Sequence, residues 1–282
     1  MRRKISAWPL LFVFFIIMFI VVPVGAFAAS IGNPKTLGEL GKVAIGLEYD
    51  NSNVDLTLNV ASLSDGIFTE SFGANNMRLM AKTTYVVGTI GVFPNVDVFA
   101  GVGMNKAKLE FATEYARDVP DDIKIEDNSN VAYKFGARAK LAEVGGVAIG
   151  VTGQYSAYTM DGHYLVNGQE IGNMYQGPAE QSTNMKISEW QAALTASKTM
   201  GRFSPYAGVT CSRISLKHDT TFHIIPSEGM SYDLSFKTEA KQENNLGAVF
   251  GTSVTVLNNF DINAEVRTGN QDAFTAAVNY RF

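Results

Sequence analysis

The feature that most constrains this chain is the spacing of its breaks. Segments of about ten residues alternate apolar and polar side chains with period two, the repeat of a strand whose neighbours point to opposite faces of a sheet. The breaks between them alternate in length. Short ones fall near Gly91–Asn95, Glu143–Gly146, Gly201–Ser204 and Leu257–Asn259. Long polar ones fall at Asn51–Asn76, Phe111–Asn130, Asp161–Asn184 and Lys217–Asn244, and a short final hairpin lies near Thr268–Asp272. A sandwich in water has no reason to keep its connections short on one side and long on the other. A barrel that crosses a membrane does, with short turns on one side and long loops on the other. The pattern predicts an all-β fold: an antiparallel, transmembrane up-and-down β-barrel of about ten strands, with eight to twelve open.

The faces are read from the same alternation. At the carboxyl end Phe274, Ala276, Val278, Tyr280 and Phe282 oppose Ala273, Thr275, Ala277, Asn279 and Arg281. Val43, Ile45, Leu47 and Tyr49 oppose Lys42, Ala44, Gly46 and Glu48. Met77, Leu79, Ala81, Thr83, Tyr85 and Val87 oppose Arg78, Met80, Lys82 and Thr84. Assigning each apolar face to lipid puts a set of charges in the lumen: Lys42, Glu48, Arg78, Lys82, Lys134, Arg138, Lys140, Glu189, Asp261, Glu265, Arg267 and Arg281. Beyond the start of the mature chain, Pro94, Pro120, Pro178, Pro205 and Pro226 fall in turns, loops or the first residues of strands, where no ladder hydrogen bond is lost. Phe93, Phe203, Tyr206, Phe260, Tyr280 and Phe282 lie next to the short turns or the terminus, the depth at which an aromatic girdle sits.

The amino terminus carries a three-part export signal. Arg2, Arg3 and Lys4 precede an apolar run from Ala7 to about Val24, and Ala26-Phe27-Ala28 supplies small residues for cleavage. Cleavage is expected after Ala28, leaving residues 29–282 as one barrel domain; an uncleaved membrane helix is the other reading. Cys211 is the only cysteine, so neither an internal disulfide nor a multi-cysteine metal site can form. A formal net charge of −4 gives no basic field for nucleic acid. No cofactor is implied.

In these respects the chain resembles the small outer-membrane barrels of Gram-negative bacteria, in the broad OmpA-like or opacity-type sense. The resemblance rests on the signal, the alternating strands over Gly41–Phe282, the unit Pro94–Gly103, and the terminal Phe282 with Tyr280, Val278 and Phe274 before it. It implies that Phe274, Val278, Tyr280 and Phe282 form the strand read by the barrel-assembly machinery. It also implies outer-membrane lipid as the surroundings; the loops leave room for an extracellular ligand of unknown identity.

Three functional expectations follow. The first is a structural or adhesive surface protein that presents its loops, since binding residues concentrate on loops held by a rigid scaffold. The second is a small channel. The lumen charges favour cations over acids on this reading, so such a pore would prefer anions. Inner glycines at Gly46, Gly101, Gly103, Gly136, Gly150, Gly247 and Gly251 would leave room for water or for bulky neighbours. The third is an omptin-like or lipid-modifying barrel hydrolase. Asp161-Gly162-His163 has the Asp-x-His spacing of the omptin proteases, whose His–Asp pair works with paired aspartates on a water. Here the pair lies on an earlier loop, and Asp121-Asp122 is a poor stand-in for the missing aspartates. His163 near Ser156 is the corresponding candidate for lipid chemistry. The acidic stretch Glu110–Asp127 lacks the ligand spacing of a calcium loop and reads as solvated.

Overall fold

Alternating segments free of interior proline fold as antiparallel strands, and each strand's lost edge is recovered by pairing with the next until the ring closes. The computed structural model describes residues 31–64, 69–71, 73–114, 121–127, 129–170, 179–225 and 232–282. The expected export signal at Met1–Ala28 lies outside them. The strands are β1 (Val43–Ser64), β2 (Thr69–Ser71), β3 (Gly73–Phe93), β4 (Val96–Glu114), β5 (Asp121–Glu126), β6 (Asn130–Val144), β7 (Val147–Met160), β8 (His163–Val166), β9 (Gln169–Glu170), β10 (Ala179–Lys198), β11 (Phe203–Ile224), β12 (Tyr232–Gln242), β13 (Leu246–Leu257), β14 (Phe260–Thr268) and β15 (Asp272–Arg281).

The wall is the ring β1-β3-β4-β6-β7-β10-β11-β13-β14-β15, each strand antiparallel to its neighbour. It closes where β1 meets β15, from Ala44 opposite Arg281 to Asn53 opposite Asp272. The turns at the lower, periplasmic rim are tight. Gly145 and Gly146 join β6 to β7 with φ of 60° and 75°, a mirror-image turn that side chains rarely allow.

Several strands are about twice the nine to eleven residues that a tilted strand needs to cross the hydrocarbon. Their polarity explains the extra length. On β11 the outer face runs Phe203, Ala207, Val209 and Cys211, then turns polar at Arg213, Ser215, Lys217 and Asp219. The inner face does the reverse, with Ser204, Tyr206, Thr210 and Ser212 below Ile214, Leu216, Phe222 and Ile224. On β1 the outer face passes from Val43, Ile45 and Leu47 to Asn51, Asn53 and Asp55, while Glu48 and Asp50 inside give way to Val54 and Leu56. The lower half is thus apolar outside and polar inside, as lipid requires. The upper half is polar outside and apolar inside, as water requires.

The upper half is a turret with its own core, which includes the fully buried Leu109, Ile125, Met160, Met185 and Ile224. Strand β12 pairs with β11 on one side and β1 on the other, bridging above the short strands β13–β15. Strand β5 extends the sheet from β4, and β8 extends it from β5.

Three expectations need correcting. The long polar segments between strands are largely strand, because their polar residues face water on the outside of the turret and their apolar ones fill it. For the same reason Arg78 and Lys82 are not lumen charges. They face outward on β3, and Arg78 pairs with Asp55 at 3.2 Å on that outer surface. Lys42 also misses the lumen: it precedes β1 and pairs with Glu39 at 2.9 Å on the exposed rim. Of the expected girdle, Phe93, Phe203 and Phe282 are exposed outward, and Phe260, Tyr280 and Phe282 touch in a chain, the last pair edge to face. Tyr206 instead points inward, on the same face as Ser204 and Thr210.

Candidate functional site

The interior of the barrel is filled from three sources. Lowest is the chain itself. Residues 31–37 precede the barrel and run down its interior with Ile31 innermost, 1 % exposed. The Gly32 amide donates to Glu265 Oε2 at 2.7 Å and the Ile31 amide to Glu265 Oε1 at 3.3 Å. Asn33 Nδ2 donates to Asn263 Oδ1 at 3.0 Å, and Lys35 Nζ lies 3.6 Å from Asp261. The Leu37 amide reaches both oxygens of Asp97, at 3.0 and 3.2 Å. Lumen-facing side chains that alternate up β14 (Asp261, Asn263, Glu265) therefore hold successive parts of one extended segment. Inner glycines make room for it: a Cβ at Gly150 would stand 2.6 Å from Pro34 Cβ.

Above the segment is an ion-pair network. The Tyr206 hydroxyl donates to Glu265 at 3.0 Å. Arg267 donates to Asp50 at 3.0 Å and to Gln191 Oε1 at 3.0 Å, with its Nε 3.6 Å from Glu265. Gln191 also accepts from Gln154 at 2.7 Å and donates to Glu189. Lys134 pairs with Glu48 and lies 5.0 Å from the Tyr85 ring centre. Arg138 is 3.6 Å from Asp97, and Arg281 is 2.9 Å from Asp261. Buried charges are tolerated only when paired in this way. The third source is the turret core, which lies directly over the network.

Of the residues expected in the lumen, Glu48, Lys134, Arg138, Glu189, Asp261, Glu265, Arg267 and Arg281 face inward. Lys140 sits toward the lower rim, 3.3 Å from Glu143. The sequence reading missed Asp50 and Asp97, which continue the inward parity of Glu48 and Phe99, and it missed the inserted segment altogether. With Lys42, Arg78 and Lys82 outside the lumen and these two carboxylates inside it, the excess of cations on which an anion preference rested is gone. On β15, Phe274, Val278, Tyr280 and Phe282 share the outer face.

The histidines separate. His163 opens β8 and is exposed, and His223 Nδ1 lies 2.7 Å from Asp233 Oδ1 on the turret surface. His218 is buried in the turret core against Tyr164 and Thr220, and burial lowers its pKa to about 4. Part of the acidic stretch is an ion-paired surface ladder: Lys108 lies 2.8 Å from Glu110 and 3.0 Å from Glu126. Hydrogen bonding between them raises the Lys108 pKa and lowers that of Glu110. Asp118 lies outside the described residues. Among those described, no three His, Cys, Asp or Glu side chains are grouped to hold a metal.

Residues 145–282, from the β6–β7 turn through β15, match a family of unknown function, DUF6588. The chain is 29 % identical over 167 aligned positions to the major outer membrane porin, serovar C, of Chlamydia trachomatis, covering 50 % of this chain and 41 % of that protein. It is 27 % identical over 169 positions to the major outer membrane porin of Chlamydia muridarum, covering 50 % and 42 %. It therefore spans about two fifths of the length of these relatives. Among solved structures, the outer membrane protease OmpT of Escherichia coli aligns with a TM-score of 0.45 at 11 % identity, over 89 % of this chain and all of that one. The outer membrane protein OprG of Pseudomonas aeruginosa aligns with a TM-score of 0.45 at 8 % identity, over 86 % of this chain and 97 % of that one. Superpositions this loose carry no activity across. The closed ring, its apolar outer belt and the porin relatives agree on one location: the chain is a β-barrel of the outer membrane. They do not single out the OmpA-like or opacity-type group.

Proposed function

We propose that the chain is a structural outer-membrane protein, a closed barrel that carries a rigid turret whose rim and loops form the contact surface. The filled interior supports this reading. Arg267 and Glu265 at mid-height are each 1 % exposed, with the inserted segment below them and the apolar core above. A small barrel filled by its own side chains is a scaffold, and binding then falls to what the scaffold presents. The test is conductance of the mature chain in a planar bilayer, with insertion verified independently. The expected result is silence, and silence again after residues 31–37 are deleted, because the turret core still obstructs the path. Reproducible steps from the intact chain would overturn the reading.

A second reading is a channel closed by its own amino-terminal segment. The porin relatives favour it, and so does the way the segment is held, by side-chain hydrogen bonds to carboxylates and not by strand pairing. Steps that appear only when the segment is deleted would select this reading. They would also mean that the turret opens with it. With Asp50 and Asp97 facing the lumen alongside Lys134, Arg138 and Arg267, such a pore would discriminate weakly between anions and cations.

A further inference from the structure

The outer surface carries a feature that neither reading uses. Four residues stand in register across β6, β7, β10 and β11: Phe135 opposite Tyr155, Tyr155 opposite Trp190, and Trp190 opposite Arg213. The three rings touch in sequence, with centroids 5.3 and 4.8 Å apart. The row directly beneath is built of small residues: Ala137 opposite Gly153, Gly153 opposite Ala192, and Ala192 opposite Cys211. All four face outward and are exposed. Val151, Leu194 and Val209 form the next outward row below. The result is an apolar cavity of about 350 Å³ in the lipid-facing wall. At roughly 30 Å³ for each water-sized group, it holds on the order of a dozen such groups, a length of one acyl chain.

Its upper edge is cationic. Arg213 ends the apolar outer face of β11, about ten residues above Phe203, which is the span of the hydrocarbon. Two outward rows above, past Ser188 opposite Ser215, Lys186 and Lys217 stand directly opposite each other, both exposed, and Lys241 lies beside Ser215 on β12. Two cations facing across a strand pair repel, and only Lys217 has an acidic partner, Glu239 at 3.3 Å. Among the described residues, Arg213, Lys186 and Lys241 enter no ion pair.

From the trough and the cations at its lip, we infer that this face holds one phosphorylated lipid of the surrounding membrane. An acyl chain would lie along Gly153 and Ala192 under the aromatic row. The phosphate would sit among Arg213, Lys186 and Lys241. The aromatic rings, tilted 42° and 53° to one another, give an apolar ceiling at the depth where such rings are stable, and the unpaired cations favour an anionic headgroup over a zwitterionic one.

Trp190 is the natural reporter, since it is the only tryptophan left once Trp8 departs with the export signal. The mature chain is refolded into phosphatidylcholine vesicles containing a minor fraction of brominated phosphatidic acid, or the same fraction of brominated phosphatidylcholine. Trp190 quenching is compared at equal bromine content. We expect the anionic probe to be enriched about fivefold, the factor that a single well-placed cation gives at a membrane surface. Arg213→Gln with Lys186→Gln should remove that excess. Gly153→Leu should remove it by filling the trough; a Cβ there meets nothing within 4 Å, so the barrel accepts it. Equal quenching by both probes would mean ordinary boundary lipid and would overturn the proposal. Weak quenching by both would mean that a second copy of the chain covers the face, and would overturn it too. None of these outcomes depends on whether the lumen conducts.

Discussion

Glu265 shows how a single buried carboxylate can position a segment of chain. It accepts from two successive backbone amides and from the Tyr206 hydroxyl. Hydrogen bonds to a charged acceptor contribute about 1.5–3 kcal/mol each. Glu265→Gln should therefore loosen residues 31–37 without unfolding the wall. With Ile31→Cys in a Cys211→Ser background, a water-soluble maleimide should leave the parent unlabelled and label the Glu265→Gln variant. Equal labelling would show that Glu265 does not hold the segment. His218 offers a different test. Its folded pKa of about 4 lies below the value near 6.5 expected in the unfolded chain. Between those values the unfolded chain takes up a proton that the folded one refuses, so stability rises with pH across the window and falls on acidification, by about 3 kcal/mol at most. Turret amides should lose hydrogen-exchange protection, after correction for intrinsic rates, between pH 6.5 and pH 4. In His218→Gln that loss should be much smaller.

At the scale of elements, the two halves of a strand are stabilised by different solvents. Leu109 on β4 is fully buried in the turret core, whereas Val102 on the same strand is 59 % exposed on the lipid-facing side. Leu109→Ala should cost about 2–5 kcal/mol through lost burial and the cavity left behind. Val102→Ala should cost much less, since lipid closes over the gap. Denaturant unfolding of the refolded protein compares the two, and equal losses would contradict the assignment of Val102 to the lipid face. The same division explains what was legible in the sequence. Alternation was plain in β1, β3 and β15, and so were the tight turns at Pro94-Asn95 and Gly145-Gly146, whereas β11 was legible as a strand but its faces were not. Alternation does not say at what height the solvent changes. Arg78 and Lys82 oppose Leu79 and Ala81 as any lumen charge opposes a lipid-facing residue. Only the change from Lys82 to Val86 along one outer face marks the boundary. The segment at 31–37 has no period to read, and its place is set by carboxylates from 60 to 234 positions away, so nothing local announces it.

On the scale of the whole molecule, the exchange of polarity at Arg213 on β11 and between Tyr49 and Asn51 on β1 fixes the depth of the barrel. A shift in either direction would bring charges into lipid or hydrophobic side chains into water. The inserted segment also bears on how the ring is completed. Closure joins β1 to β15, the first and last strands of the wall, so the cost of bringing distant ends together must be met at the final step. Residues 31–37 lead directly into β1 and are gripped by β14, the neighbour of β15. Once the carboxyl-terminal hairpin has formed, the leading end of the chain is tethered within a few residues of the edge it must join. The element that occupies the finished lumen is thereby also a latch for the seam, turning the last encounter from a search by a long chain into the docking of a short one.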